Sequence, residues 1–225
     1  MIFLRTDATV DAGDAAEVWP LYREVFADHD DEAGWLADVW DRHARRDGFR
    51  LVRAYEGTDL VGFAYGYTGR AGQWWTDNVA ASLGPTVADA WLGGHFEVVS
   101  VGVREDARRR GTGQALLNAL LRGLPQERRL LQTSEDPADP AHLMYASEGW
   151  QLLGPGTGPA TVVLGIRAGD GGAETARGVR IYHLALRSDW DDAVAAGVYR
   201  VSTIGATIDE VGFIHASRED QLQAT

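Results

Sequence analysis

The sequence predicts an α/β (α+β) domain on a central mixed, mostly antiparallel sheet with helices on both faces, followed by a small, incomplete C-terminal α+β domain. Three observations carry this. Apolar residues recur at helical spacing behind aspartate caps near the start, the period falls to two between Leu51 and Tyr67, and strands then alternate with helices from His95 onward. Ala168 to Gly178 contains four glycines in eleven residues and no large apolar side chain, which makes it a linker. The expected division is residues 1–168, a Gly-rich linker at 169–178, and a partial domain at 179–225.

The elements follow in order. Ile2, Phe3 and Leu4 open a short apolar strand; Val18, Leu21, Tyr22, Val25 and Phe26 then mark a helix capped by Asp11 or Asp14. Trp35, Leu36, Val39 and Trp40 repeat the helical pattern from Asp31. Leu51–Tyr55 and Val61–Tyr67 read as strands, the second with Val61, Phe63, Tyr65 and Tyr67 on one face, joined by a hairpin at residues 56–59. Residues 69–94 form an insertion of two short helices broken at Gly84-Pro85. A strand over His95–Val103 leads into a helix from about Gly113 to Arg122 that ends at Gly123, with Pro125 just beyond. A short strand at Leu130–Thr133, a helix over Pro140–Glu148, and strands at Trp150–Leu153 and Thr161–Ile166 complete the order β-α-α-β-β-β-α-β-α-β-β.

Composition narrows the function. With 225 residues, 45% of them apolar and 24% charged, the chain can bury a core. It contains no cysteine and no lysine, all 21 basic residues being arginine, so a cysteine nucleophile, thiolate metal sites and a catalytic lysine are excluded. The net charge of −12 argues against nucleic acid or an anionic membrane as partner and favours a cationic small molecule. The start lacks a basic segment followed by an apolar run, and the expected location is cytoplasmic. His29, His43, His95 and His142 show no metal-ligand spacing, so no metal is expected.

The most informative stretch is Val98 to Leu121. A strand runs into a turn with three arginines, Arg108, Arg109 and Arg110, and then Gly111 and Gly113 open an apolar helix. Glycine lets a ligand approach the backbone closely, and the free N–H groups of a first helical turn lie at the positive end of the macrodipole. The combination suits a phosphate group. Its spacing matches neither the G-K-[ST] loop nor the six-position dinucleotide fingerprint.

Arg108-x-x-Gly111-x-Gly113 after a strand resembles the [Q/R]-x-x-G-x-[G/A] signature of the GCN5-related N-acetyltransferase (GNAT) superfamily, and V-R-E-D-A-R-R-R-G resembles its usual context. P-A-H-L-M-Y-A-S-E-G-W at 140–150 is similar to the family's "P-A-x-x-L-Y-x-x-x-G-F" segment. The asparagine that often precedes this helix is absent, with Ala138 and Asp139 near its place. The resemblance implies the GNAT fold over residues 1–168 and acetyl-CoA as cosubstrate. The cofactor would lie along Val101, Gly102 and Val103 in a gap opened by a β-bulge, its pyrophosphate held by Arg108, Arg109, Arg110, Gly111, Thr112, Gly113 and Gln114. The Val101 N–H would face the thioester carbonyl, a contribution of about 3 kcal/mol.

The resemblance also implies Glu97 as general base and Tyr145 as the acid that protonates the departing thiolate. Glu97 shares strand parity with Val99, Val101 and Val103, so its carboxylate is expected on a buried face, where desolvation raises a carboxyl pKa. Trp35, Trp74 and Trp75 are expected to line the acceptor site beside acidic residues such as Asp28 and Asp31. The implied reaction is direct transfer, in a ternary complex, to a primary amine of a small cationic molecule.

The tail reads I-Y-H-L, then W-x-x-A-x-x-x-G-x-Y, then G-F-I-H-A-S-x-x-x-Q-L. It resembles the first part of a small bacterial domain of unknown function (family 952) with an ADP-ribosyltransferase-like fold. That resemblance implies His183, Tyr199 and His215 as site residues and NAD as a cofactor of the tail alone. An unclosed sheet would leave an edge that pairs with another chain, so a homodimer is the expected assembly. Two readings compete with acetyl transfer: NAD-dependent ADP-ribosyl chemistry in the tail, and a non-catalytic acyl-CoA-binding module.

Overall fold

The period-two pattern that begins near Leu51 builds the centre of a seven-stranded sheet. The computed structural model describes residues 2–169 and, beyond them, 181–182, 186–189, 200–203, 206–207 and 217–218. The chain divides into two units, Met1–Glu174 and Thr175–Thr225. In the first, strands β1 (Ile2–Asp7), β2 (Arg50–Glu56), β3 (Asp59–Thr68), β4 (Phe96–Val103), β5 (Arg128–Ser134), β6 (Gln151–Pro155) and β7 (Thr161–Arg167) lie in the order β1-β2-β3-β4-β5-β7-β6. Only β4 and β5 run parallel; the other neighbours are antiparallel.

Helix α1 (Ala12–Phe26) starts where the sequence places it: the Asp11 carboxylate accepts from Gly13 and Asp14, and the Asp14 carboxylate accepts from the Asp11 N–H. Asp31 likewise caps α2 (Glu32–Trp35), which continues through a π-helical turn, Leu36–Trp40, into α3 (Asp41–Ala44). The 69–94 insertion forms α4 (Trp74–Leu83) and α5 (Pro85–Trp91), separated by Gly84 at φ 73°. A 3-10 turn, Glu105–Ala107, precedes α6 (Thr112–Leu121), and α7 (Pro140–Ser147) is capped by the Asp139 carboxylate, which accepts from Ala141 and His142. Asp139 thus holds the helix start near the place of the family asparagine.

Three hydrophobic clusters cover the sheet, the smallest being Val79, Trp91, Leu130 and Val163 beside α4 and α5, and the two larger ones sandwich it. One is aliphatic, with Leu116, Leu117 and Leu120 of α6 against Val52, Ala54, Ala64 and Phe96. The other is aromatic, with Trp19, Tyr22, Trp35 and Trp40 against Phe49, Phe63, Tyr65 and Tyr67.

Two β-bulges correct the expected parity. Gly62 pairs with Ala54 and Leu60 with Tyr55, which leaves Val61 as the extra residue of β3 and turns it into the aliphatic core, opposite Phe63, Tyr65 and Tyr67. In β4, Ser100 pairs with Tyr65 and Val98 with Gly66, so Val99 is the extra residue. Glu97 keeps parity with Val99 alone; Val101 and Val103 pack on the aliphatic side. In the second unit, β8 (Ile181–Tyr182) pairs with β11 (Ser217–Arg218), and β9 (Val201–Thr203) with β10 (Ala206–Thr207), both antiparallel. His183, Tyr199 and His215 lie outside the described residues.

Candidate functional site

Strands β4 and β5 touch at only two positions, Phe96 opposite Arg129 and Glu97 opposite Leu130. Beyond Glu97 they separate, while β5 stays paired with β7 along its whole length. The Arg104 N–H donates to the Val61 carbonyl on β3 at 2.9 Å. Alternation along an extended strand therefore turns the N–H groups of Val103 and Val101 to the opposite edge, into the gap. The Val103 carbonyl accepts from Arg108 Nε at 2.9 Å, which ties the arginine turn to the end of this open edge.

The turn itself is a concave run of donors. Arg109 (φ 59°) and Gly111 (φ 77°) both occupy the left-handed region, which a non-glycine residue adopts at a cost of order 1–3 kcal/mol. Among the described residues no group accepts from the backbone N–H of any residue from Arg109 to Gln114; the first helical bond runs from Ala115 to the Gly111 carbonyl at 2.9 Å. Such a run of amides at the head of a ten-residue helix is an anion cradle. A Cβ on Gly111 would meet nothing within 4 Å, so its demand is conformational, whereas a Cβ on Gly113 would stand 3.2 Å from Met144 Sδ. The side chains are mostly engaged elsewhere: Thr112 Oγ1 donates to the Ala107 carbonyl, Gln114 Nε2 donates to Glu148 Oε1, and Arg110 pairs with Glu56. Gly102 lies against Phe63, where a Cβ would stand 2.8 Å from the ring.

At the fork, Glu97 is 4% exposed. Its Oε1 accepts from the Tyr67 hydroxyl at 2.9 Å, and its buried Oε2 has no hydrogen-bond partner among the described residues. Burial pushes its pKa up to about 7, against the opposing pull of the Tyr67 hydrogen bond and the Arg46 charge. Glu97 reaches the wall of a cavity of about 430 Å³, lined also by Asp38, Arg42, His43, Arg46, Tyr67, Trp74, Trp75 and Val99. His43, hydrogen-bonded to the Tyr65 hydroxyl at 3.2 Å, is pushed down to about 4 by burial and by Arg46 and Arg42, and is neutral at pH 7.

The sequence-expected residues therefore separate into groups. Val101, Gly102, Val103 and Arg108 through Gln114 form one continuous edge and turn. Glu97, Trp74 and Trp75 share the cavity, with Trp74 64% exposed at its mouth. Trp35 does not join them: it is 0% exposed, packed between Trp19, Tyr22 and Trp40 in the aromatic core. Asp28 holds the Tyr22 hydroxyl and His29, and Asp31 caps α2. Tyr145 is buried on α7, tilted edge-on to Trp150 with ring centroids 5.8 Å apart, and its hydroxyl makes no hydrogen bond among the described residues. Burial, with a smaller contribution from Asp139, holds its pKa above the usual phenol value.

Sequence reasoning missed Asp38, Arg42, His43 and Arg46. They occupy the π-helical turn and the segment after it, and the one available signal was the i, i+4 spacing of Asp38, Arg42 and Arg46 on one helical face. Among the described residues no group of three or more His, Asp or Glu could hold a metal ion, and no helix is long and apolar enough to cross a membrane.

Comparison with known proteins agrees with this geometry. Residues 15–150 match the model of the acetyltransferase (GNAT) family. The chain is 32% identical to the GCN5-like protein acetyltransferase Rv2170 of Mycobacterium tuberculosis, over 44% of this chain and 61% of that protein, so the match spans less than two thirds of the relative. Its fold is similar to that of a GNAT-family acetyltransferase from Streptococcus agalactiae (TM-score 0.53, 12% identity, 74% of this chain and 95% of the other). It is also similar to Arabidopsis thaliana NAA60 in complex with a bisubstrate analogue (TM-score 0.50, 16% identity, 76% and 99%). A strand fork, a run of free amides at a helix start and a family match spanning both make the assignment: this chain belongs to the GNAT family of N-acetyltransferases.

Proposed function

We propose that the chain transfers the acetyl group of acetyl-CoA directly to a primary amine on a small molecule whose ammonium is its cationic group. The observation that carries this reading is the fork after Glu97, because it sets an open strand edge, an amide cradle and a buried carboxylate in sequence along one path. The diphosphate suits the amides of Arg109 to Gln114, with the exposed Arg109 guanidinium adding charge. The pantetheine arm suits the free edge of Val101 to Val103, as an added strand would. The Val101 N–H, turned into the gap, is the candidate donor to the thioester oxygen as it gains negative charge.

An ammonium with a pKa near about 10 must lose a proton before it can attack. Glu97 is assigned that proton, directly or through water, and a pKa near 7 suits a base at neutral pH. The amine nitrogen forms a bond to the acetyl carbon, the carbon–sulfur bond breaks with its electron pair on sulfur, and the thiolate takes a proton from Tyr145. Burial keeps that phenol protonated at neutral pH, as an acid must be, while making it a weaker acid. The transfer is direct, with both substrates bound together, and the chain has no cysteine to carry the acyl group between them.

The test has two parts. Acetyl-CoA should raise the melting temperature of the intact chain, and initial rates of thiol release on an amine panel should give intersecting double-reciprocal lines. Tyr145→Phe should bind acetyl-CoA equally well and turn over at least about tenfold more slowly. No stabilisation by acetyl-CoA overturns the reading, and parallel lines overturn the ternary complex.

A further inference from the structure

The cavity at Glu97 sets two arginines, Arg42 and Arg46, beside two carboxyl groups, Asp38 and Glu97, in a chain of net charge −12. Arg46 is half-buried, and its guanidinium carbon stands 4.3 Å from the centroid of the Tyr67 ring. Among the described residues no carboxylate lies within ion-pair distance of it, whereas Arg5, Arg45, Arg70, Arg104, Arg110 and Arg167 each have one and Arg53 has three. Arg42, one helical turn earlier, spends one N–H on the Asp38 carbonyl at 3.1 Å and is otherwise exposed on the same wall. A guanidinium over an aromatic ring, a cation that is by nature weakly hydrated, is well suited to a carboxylate, which it can meet with two parallel N–H groups.

Tyr67 fixes how the two charges of a ligand would be spaced. Its hydroxyl holds Glu97 while its ring carries Arg46, so the carboxylate that takes an ammonium proton and the cation above the ring are about one phenol apart. Trp74 and Trp75 offer flat apolar surface on the same cavity, whose volume lies in the range of small-molecule sites, about 300–1,000 Å³. From this juxtaposition we infer that the acceptor is a small amine that also bears a carboxylate, received by Arg46 with support from Arg42, while its apolar body lies against Trp74 and Trp75. The inference rests on the acetyl-transfer reading and specifies its acceptor class.

Amine pairs that differ only in the carboxylate test it: phenylalanine against phenethylamine, tryptophan against tryptamine, and lysine against 1,5-diaminopentane. The intact chain should favour the carboxylate-bearing member by about tenfold or more in kcat/KM, equivalent to about 1.4 kcal/mol. Arg46→Gln should remove most of that preference through KM, and Arg46→Lys should restore part of it. Because the readout is a ratio within each variant, a general loss of activity cancels. Equal or better turnover of the decarboxylated member overturns the inference, as does a ratio unchanged in Arg46→Gln, or a peptide without acidic side chains outperforming every small amine. Stabilisation by acetyl-CoA with no turnover of any panel member overturns the acceptor class alone. Absence of stabilisation overturns the acetyl-transfer reading instead.

Discussion

On its α6 side the sheet is packed with leucine and valine against small strand residues; on its α1–α3 side it is packed with tryptophan, tyrosine and phenylalanine. The difference is one of approach. Gly62 and Gly66 let the α6 side close tightly, since a Cβ on Gly62 would stand 2.9 Å from Leu116 and one on Gly66 would stand 2.3 Å from the Glu97 carbonyl. Among the described residues that side buries few ionisable groups, Tyr145, Glu148 and Arg129, the last opposite Ile166 and in parity with Leu131, and it anchors the helix whose first turn presents the amides. The aromatic side packs through large rings that bring hydroxyls with them, and Tyr65 and Tyr67 hold His43 and Glu97 at the cavity. One face supports a site made of backbone; the other builds a site from side chains.

Substitutions on each face should break this division in different currencies. The largest expected effect is at Glu97. Glu97→Gln should lower kcat/KM by about 10²- to 10⁴-fold while leaving acetyl-CoA binding intact, as read by thiol release and thermal shift. Its stability should move the other way. A carboxyl whose pKa rises from 4.5 to about 7 on folding contributes stability present below 4.5 and lost as pH climbs through 7. Above pH 7, Glu97→Gln should therefore be the more stable protein, by up to about 1.4 kcal/mol for each unit of that rise. A variant that is less stable at pH 8 would mean the carboxylate is held by attraction rather than tolerated against desolvation.

Leu116→Ala tests the aliphatic face. Leu116 is fully buried against Gly62, and its truncation should cost about 2–5 kcal/mol in urea unfolding. The rate per folded molecule should fall far less than in Glu97→Gln; an equal fall would show that the two faces are not separable.

The smallest effect sharpens the aromatic face. Tyr67→Phe removes the hydroxyl that donates to Glu97, a bond that favours the ionised carboxylate. The acidic limb of the kcat/KM–pH profile, expected near pH 7 in the natural chain with activity rising toward alkaline pH, should shift upward. A limb that stays in place would remove Glu97 as the titrating base.

Much of the backbone-built site was legible without coordinates. Arg108-x-x-Gly111-x-Gly113 is contiguous, and glycine spacing and helix starts are local properties that short-range sterics and hydrogen bonding decide. Asp11 as a cap and Asp31 as a helix start belong to the same class, whereas the capping role of Asp139 is seen in the structure. The cavity was not legible, because Arg46, Tyr67, Trp74 and Glu97 lie on four segments that only sheet pairing brings together. Net charge does not describe the cavity either: −12 is a property of the whole chain, whereas Arg42 and Arg46 line the cavity beside Asp38 and Glu97.

The sequence by itself determined the family, the element order and the arginine-glycine turn that opens α6, since each depends on residues close together along the chain. Only the tertiary structure decided which way Val61, Glu97 and Val99 point, that Trp35 is core and that Trp74 is surface. A bulge is one extra residue between two registers, and register is a relation between strands that neither strand carries alone.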